Sequence, residues 1–307
     1  MTSLPDGCHG TKYRDAQMKV RTWLRAWLRR PADDVRAHHV STSRHIVLGG
    51  CGRSGTTLAR VILDSHPAIC CGPESNIFLA EPLDYDRLAS RFKLDAARVA
   101  QVRDASRSRA EFVDRFAQLC CDVSGKQRWA EKTPRNVLHL PFVFSNFPAG
   151  RFVHVLRDGR DVACSLRTHP RHKLVDGKPV PLNTWRPMAE CAARWRESLQ
   201  AVKPYLSDPR VHTVRYEDLL GDPRGTTQRL LDFLGEPWDE RVLAHDAVDS
   251  RFRDSTTFPQ NPEALRPIEP RAMGRWQHDM TAEDRAIFKS IAGDLLLEYG
   301  YATDDRW

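Results

Sequence analysis

The sequence predicts an α/β fold of the P-loop type, in which helices flank a central parallel sheet. Short apolar runs at residues 45–48, 151–156 and 211–216 are each followed by helical spacing of apolar residues. Strands separated by helices pair in parallel through right-handed crossovers. A glycine-rich segment, residues 49–55, joins the first run to its helix, which is where such folds bind anions.

The helices are predicted from apolar residues that recur three and four positions apart. Residues 57–63 follow the first strand, a helix begins near Asp161 after the second, and residues 226–234 follow the third. Further helical patterns and two proline-rich loops complete the prediction: helices over 111–121, 188–202 and 283–299, and loops over 170–187 and 259–270.

The chain is expected to divide at residue 43, with residues 1–43 as a separate segment and 44–307 as a single domain. Residues 17–30 have the pattern of a basic amphipathic helix. Such a helix either makes peripheral contact with an anionic membrane or another protein, or docks its tryptophan face on its own domain. No apolar run suits a membrane span or a secretory signal, so we expect a cytoplasmic protein.

Charge and cysteine content narrow the function classes. The 307 residues include 47 Lys and Arg against 40 Asp and Glu, a net charge of +7, and 38 of the basic residues are Arg. This excess reflects either an anionic partner, which Arg grips through its planar fork, or codon bias.

The adjacent pairs Cys70-Cys71 and Cys120-Cys121 are predicted to be buried small hydrophobes, and no spacing suits a metal.

The glycine-rich loop carries the most informative motif. Aligned with G-x-x-x-x-G-K-[ST], it matches at Gly50, Gly55 and Thr57, but Thr56 stands where a nucleoside triphosphatase has its lysine. Arg53 instead supplies a cation within the loop. The pattern therefore predicts a phosphate cradle and disfavours an ordinary triphosphatase.

A second anion site is predicted where the second strand ends. Arg157 directly follows that strand, and Ser165 lies about two helical turns further on. The alternative is that Arg157 caps the strand end through Asp161. Two anion sites at neighbouring strand ends suggest one ligand with two separated phosphates.

Several segments resemble the sulfotransferases that use 3′-phosphoadenylyl sulfate. The similar segments cover both anion sites: residues 52–58, 63–67 and 71–74 resemble the phosphosulfate region, and 152–165 the 3′-phosphate region. The most similar branch is the tyrosylprotein sulfotransferases and their bacterial relatives, which have counterparts to 129–134, 214–219 and 273–276. The resemblance spans roughly residues 44–303 and implies metal-independent, in-line transfer of a sulfuryl group to an acceptor hydroxyl.

The resemblance also implies which residues hold the donor. The implied contacts are the 5′-phosphosulfate cradle of Arg53, Ser54, Gly55, Thr56 and Thr57, and the 3′-phosphate and nucleotide contacts of Arg157, Ser165, Tyr216 and Arg275. Arg53 takes the role of a cation on the leaving phosphate. Arg275 stands where the family has a lysine, and this exchange alters the geometry of the contact.

Three further residues are implied in catalysis. Glu74 matches the general base, Lys132 stabilises the bridging oxygen and the transferred group, and Ser255 has a similar duty. The alternative interpretation of Glu74 is a solvated loop residue with no role in catalysis. Other sulfotransferases use a histidine base, which leaves four lesser candidates: His66, His139, His154 and His169.

The partners follow less directly from the sequence. The acceptor is a small molecule, a glycan, a lipid or a peptide tyrosine, and Trp185 and Trp195 flank the proline-rich insertion that would face it, unless they are local core. A P-loop kinase and a non-catalytic binder of nucleotide or RNA are the alternative functions. No aromatic-rich RNA signature occurs, so we expect no nucleic-acid partner. The oligomeric state is left open.

Overall fold

The computed structural model describes residues 39–169, 171–175, 178–182, 185–252, 262–268 and 273–307. Its centre is a five-stranded sheet in the order β2-β3-β1-β4-β7, with every pair parallel. The strands are β1 Ile46–Gly50, β2 Ile69–Cys71, β3 Arg128–Lys132, β4 Arg151–Leu156 and β7 Val211–Arg215. A separate antiparallel hairpin pairs β5 Arg171–Val175 with β6 Lys178–Leu182.

Eleven α-helices lie within these described ranges, together with short 3-10 turns at Pro134–His139, Lys203–Tyr205, Glu240–Val242 and Pro262–Leu265. The helices are α1 Thr56–Ser65, α2 Tyr85–Phe92, α3 Ala96–Asp104, α4 Arg109–Ser124, α5 Leu140–Asn146, α6 Gly159–Thr168, α7 Met188–Val202, α8 Tyr216–Gly221, α9 Pro223–Leu234, α10 Trp276–Asp279 and α11 Ala282–Glu298.

Side chains of β1 alternate between two apolar cores. Val47 packs in a core with residues of α2, α4 and α5, whereas Ile46 and Leu48 pack in a second core with residues of α1 and α9. Period-two alternation places neighbouring residues on opposite faces of the sheet. Helices therefore cover both faces, and the predicted α/β fold is confirmed.

The three predicted strands are present, but the sequence reasoning missed two others. β2 has only three residues, and β3 carries Arg128, Glu131 and Lys132, so neither shows a clear apolar run. The prediction of a loop over 170–187 was wrong in part because this stretch contains the hairpin β5–β6. Each strand of this two-stranded hairpin is an edge strand, the position in a sheet where prolines such as those of β6 are tolerated.

Three further predictions concern the amino-terminal segment, membrane spans and the paired cysteines. The amphipathic helix at residues 17–30 lies outside the described residues, and the division at residue 43 stays a prediction. No helix among the described residues combines the length and apolar character needed to span a membrane. The paired cysteines, Cys70-Cys71 and Cys120-Cys121, are at most 5% exposed, which confirms that they are buried.

Candidate active site

The carboxyl ends of all five parallel strands meet at one edge of the sheet, and each leads to a predicted site residue. This alignment follows from parallel pairing, which brings the carboxyl ends of the strands to one edge. The residues are, in the spatial order of the strands, Glu74 after β2, Lys132 at the end of β3, the 51–55 loop after β1, Arg157 after β4 and Tyr216 after β7.

The loop after β1 adopts a conformation that its glycines permit. Gly55 has φ 92°, and a Cβ there would lie 2.3 Å from the Tyr216 ring. Arg53 has φ 76°, an uncommon conformation for a residue with a side chain. No side chain caps the amino end of α1. The first N–H groups of this helix are therefore available to an anion.

We expect Gly55→Ala to lower the free energy of unfolding by about 1–3 kcal/mol, the usual cost of a side chain in a sparsely populated backbone region. The added methyl also overlaps the Tyr216 ring. Thermal unfolding measures this effect as a melting temperature lower by several degrees. Gly221→Ala is the matched control, since a Cβ there meets nothing within 4 Å; an equal melting temperature in both variants would contradict the prediction.

Arg53 and Ser165 come together although they are 112 residues apart. The Arg53 Nε donates to Ser165 Oγ at 3.0 Å, and Arg157 Nη1 donates to the carbonyl oxygen of Arg53 at 3.1 Å. The two predicted anion sites are thus joined through the backbone and side chain of Arg53. One ligand with two anionic groups fits this arrangement.

Arg157 is held on three sides. Its guanidinium lies 4.6 Å from the centre of the Tyr216 ring, and its Nη2 is 3.7 Å from a carboxylate oxygen of Asp161. The Trp195 indole N–H donates to the carbonyl oxygen of Arg157 at 3.1 Å. The side chain is 7% exposed, so its position is fixed by packing as well as by charge.

Asp161 also attaches the segment that carries Arg275. Its carboxylate accepts from the backbone N–H groups of Gly274 at 2.8 Å and Trp276 at 3.0 Å. Burial raises the pKa of Asp161, although these two donors oppose that rise. The Arg275 side chain pairs with Asp279, its Nε lying 2.7 Å from the carboxylate. The backbone at residue 275 is therefore held near Arg157.

Glu74 and Lys132 form an ion pair, with Lys132 Nζ 2.7 Å from Glu74 Oε1. The Lys132 side chain is only 2% exposed, whereas that of Glu74 is 38% exposed. A buried ammonium beside a carboxylate that remains open to solvent provides a fixed cation and an accessible proton acceptor. This is the pairing that the resemblance implies for catalysis.

The charge state of Glu74 follows from its surroundings. Burial raises the pKa of Glu74, but the charge and hydrogen bond of Lys132, with the charges of Arg91 and His169, outweigh this and lower the pKa below its ordinary value. A carboxyl with a lowered pKa is ionised at neutral pH. Glu74 is therefore in the ionised form that a proton acceptor requires.

The four candidate histidines fall into two groups. His66 is buried and contacts the carbonyl oxygen of Pro237 at 2.9 Å, while burial lowers the pKa of both His139 and His154 to about 4. These surroundings indicate a structural role for all three histidines. His169 ends α6 close enough to Glu74 to influence its pKa.

The two tryptophans beside the hairpin differ in role. Trp195 is 1% exposed and supports Arg157, so it is core. Trp185 is 63% exposed and lies under the guanidinium of Arg167, 4.2 Å from the ring centre. Only Trp185 of this pair presents an aromatic surface outward.

Two site residues had no assigned role in the sequence reasoning. Glu131 stands in the quoted segment 129–134 and proves to be a buried hydrogen-bond acceptor. Glu217 accepts from the backbone N–H of Asp158 at 2.9 Å and from the Tyr301 hydroxyl at 3.0 Å, which fixes the turn after Arg157. A charged residue within a strand and next to a motif was the available signal for Glu131. Ser255 lies outside the described residues.

The residues present fit an adenosine donor that carries a 3′-phosphate and a 5′-phosphosulfate. Two arginines, a serine hydroxyl and an uncapped helix end supply donors for anions, and Tyr216 supplies an aromatic face. Within the described ranges, no group of three or more His, Cys, Asp or Glu side chains is arranged to hold a metal ion.

Fold and site together define an α/β protein whose parallel sheet ends in a glycine-rich anion loop. The chain belongs to the Sulfotransferase family, whose model matches residues 45–240. This match confirms the family resemblance of the motifs.

Curated relatives have the same family character. The protein-tyrosine sulfotransferase of Drosophila melanogaster is 26% identical over 242 residues, which cover 75% of this chain and 46% of that protein. The protein-tyrosine sulfotransferase 1 of Danio rerio is 26% identical over 268 residues, which cover 83% of this chain and 72% of that protein. The chain thus spans about half the length of the Drosophila relative.

A solved structure agrees with the architecture. The sulfotransferase domain of the Synechococcus PCC 7002 olefin synthase superposes with a TM-score of 0.58 at 22% identity. The match covers 83% of this chain and 96% of that domain. The predicted fold class is confirmed by this likeness.

Proposed function

We propose that the protein transfers a sulfuryl group from 3′-phosphoadenylyl sulfate to the hydroxyl group of an acceptor. The observation that carries the proposal is the Glu74–Lys132 pair, 2.7 Å apart, at the same sheet edge as two joined anion sites. Family membership and the protein-tyrosine sulfotransferases among the relatives support the same reaction.

The anion sites divide the work of holding the donor. Arg157 and Ser165 bind the 3′-phosphate, and the loop backbone with the hydroxyls of Thr56 and Thr57 receives the 5′-phosphosulfate. Arg53 contacts Ser165 and lies in the loop, so it links both groups. Arg275 and Tyr216 complete the proposed donor contacts, and Ser255 keeps the role that the resemblance implies for it, a duty in catalysis similar to that of Lys132. Positively charged and N–H donors placed in advance stabilise the charge that develops on the leaving phosphate.

The chemical step needs a proton acceptor and a fixed cation. Glu74 takes the proton from the acceptor hydroxyl while the hydroxyl oxygen forms a bond to sulfur. The bond between sulfur and the bridging oxygen breaks, and its electron pair stays on the 5′-phosphate. Lys132 neutralises charge on the bridging oxygen and the transferred group, and Glu74 then releases the proton to water. The products are a sulfate ester and adenosine 3′,5′-bisphosphate.

The proposed acceptor carries a hydroxyl group, and a peptide tyrosine is the first to test because the named relatives are protein-tyrosine sulfotransferases. Purified protein is incubated with ³⁵S-labelled donor and with a tyrosine peptide, a glycan, a lipid alcohol or a phenol. Labelled tyrosine peptide supports this choice. Label on another acceptor class alone would retain the transferase and overturn the peptide. The cytoplasmic location stays a prediction.

We expect Arg157→Ala to weaken binding of adenosine 3′,5′-bisphosphate by about 10- to 100-fold, because a charge-assisted hydrogen bond contributes about 1.5–3 kcal/mol. Calorimetric titration measures the dissociation constant. Arg210→Ala is the matched control, since Arg210 also stacks on an aromatic ring, at 4.2 Å, and pairs with an aspartate, but precedes β7 at the opposite sheet edge. Equal affinities in the two variants would contradict the assignment.

A further inference from the structure

Glu131 is a carboxylate in the core of the site, 1% exposed and without contact to a basic side chain in the described hydrogen bonds. Its Oε1 accepts from the backbone N–H of Ser75 at 3.1 Å, from Ser75 Oγ at 2.7 Å and from Thr133 Oγ1 at 2.7 Å. Its Oε2 accepts from Nδ2 of Asn136. Such a buried carboxylate is retained only when donors surround it.

The hydroxyls of Ser75 and Thr133 link backbone N–H groups of the loop to Glu131. Ser75 Oγ accepts from the N–H of Ile77 at 3.1 Å, and Thr133 Oγ1 accepts from the N–H of Asn76 at 3.2 Å. Since each hydroxyl accepts from a backbone N–H, its own proton is directed to Glu131. Three successive N–H groups, at residues 75–77, are therefore tied to one carboxylate directly or through a hydroxyl.

Asn136 connects the same carboxylate to the central strand. Its Nδ2 donates to the carbonyl oxygen of Leu48 at 2.9 Å as well as to Glu131. Leu48 is level with Lys132 in the pairing of β1 and β3. Glu131 thus joins the loop that begins at Glu74 to the strand ends beside the anion loop.

We infer that Glu131 is a positioning residue that holds the general base Glu74 against Lys132. The inference rests on the proposed function. Glu74 immediately precedes the tethered residues 75–77, and Lys132 immediately follows Glu131, so the carboxylate fixes both members of the ion pair through their neighbours. Without the tether, Glu74 lies on a loop whose backbone N–H groups lack their partners.

Glu131→Gln tests this role because it preserves the shape of the side chain and replaces one acceptor oxygen by an NH₂ donor. Burial raises the pKa of Glu131, and the donors of Thr133, Asn136 and Ser75 oppose that rise. In one orientation the glutamine NH₂ would face the NH₂ of Asn136, and turning the Asn136 amide would place its oxygen against the Leu48 carbonyl. In the other orientation the glutamine NH₂ would face the backbone N–H of Ser75. We expect kcat to fall by about 10- to 100-fold, the effect of a misplaced reacting group. The affinity for adenosine 3′,5′-bisphosphate should stay within about twofold, because the tether lies outside the nucleotide contacts.

The pH profile separates positioning from general damage. When the ion pair loosens, burial is less opposed and the pKa of Glu74 rises, so the acid limb of kcat/KM moves to higher pH. Thr133→Val removes one hydroxyl link and should show the same change in the pH profile. Thr133→Ser keeps the hydroxyl and should retain the wild-type profile. The matched control is Glu236→Gln, a largely buried carboxylate that accepts from Arg128 where β3 begins, at the opposite end of the strand that carries Glu131.

Amide hydrogen exchange tests the tether without requiring activity. Exchange at residues 75–77 should rise by about tenfold or more in Glu131→Gln and stay unchanged in Glu236→Gln. A wild-type protein that transfers no sulfuryl group would refute the proposed function but leave this measurement intact. Unchanged exchange at residues 75–77, or wild-type kcat and pH profile in both Glu131→Gln and Thr133→Val, would overturn the inference.

Discussion

Lys132→Met is expected to reduce kcat for sulfuryl transfer by about 100- to 1,000-fold, the usual effect of losing one preplaced charge at a reacting centre. Lys132 is 2% exposed and paired with Glu74, so water cannot readily replace its charge. Methionine keeps roughly the length of the lysine side chain and removes its ammonium group. The affinity for adenosine 3′,5′-bisphosphate should change little, and initial-rate kinetics with calorimetric titration separates the two effects.

Lys126→Met is the matched control for this change. Lys126 is also partly buried and lies 3.5 Å from Asp64, but it precedes β3 instead of ending it. Both variants lose a lysine charge beside a carboxylate, so thermal unfolding shows whether their stabilities fall alike. Wild-type kcat in Lys132→Met would remove this lysine from the mechanism.

Glu74→Gln is expected to lower kcat by about 100- to 10,000-fold, the range that a positioned general base contributes. Glutamine preserves the hydrogen bond from Lys132 but accepts no proton from the hydroxyl. Glu236→Gln is the control, because Glu236 forms a 2.7 Å ion pair with Arg128 where β3 begins. Similar kcat values for the two variants would exclude Glu74 as the base and return attention to His169.

The pH dependence gives an independent check on Glu74. Burial raises the pKa of Glu74, but Lys132 and neighbouring charges lower it overall, so the ionised base persists below the ordinary glutamate value of about 4.3. Within the pH range in which the protein stays folded, wild-type kcat/KM should fall only on the acid side of that value. In Lys132→Met the fall should begin at higher pH, because the opposing charge is gone.

Much of this site follows from local sequence patterns. The anion loop was predicted from glycines and hydroxyls at fixed spacing after a buried strand, and Arg157 from its place directly after another. These signals are local because the strand end itself positions the residue. The structure adds what lies between them, above all the Arg53–Ser165 hydrogen bond across 112 residues of chain.

Other features were not accessible to sequence reasoning for a physical reason. β3 includes Glu131 and Lys132, whose charges conceal the strand. It can be buried because remote groups satisfy both side chains: Ser75 donates to Glu131, and Glu74 accepts from Lys132. Ser75 is 56 residues from Glu131 along the chain. A pattern within the sequence shows polarity, but it does not show which remote groups compensate for burial. The hairpin β5–β6 was hidden by its prolines.

Transfer measured side by side from two labelled donors tests the central claim most directly. The wild-type protein receives either ³⁵S-labelled 3′-phosphoadenylyl sulfate with EDTA or γ-³²P-labelled ATP with Mg²⁺, each with the same hydroxyl acceptors. We predict ³⁵S on an acceptor despite the chelator, loss of this label in Glu74→Gln and Lys132→Met, and no ³²P transfer. Transfer of ³²P that requires Mg²⁺, with no ³⁵S on any acceptor, would contradict the account and identify a kinase.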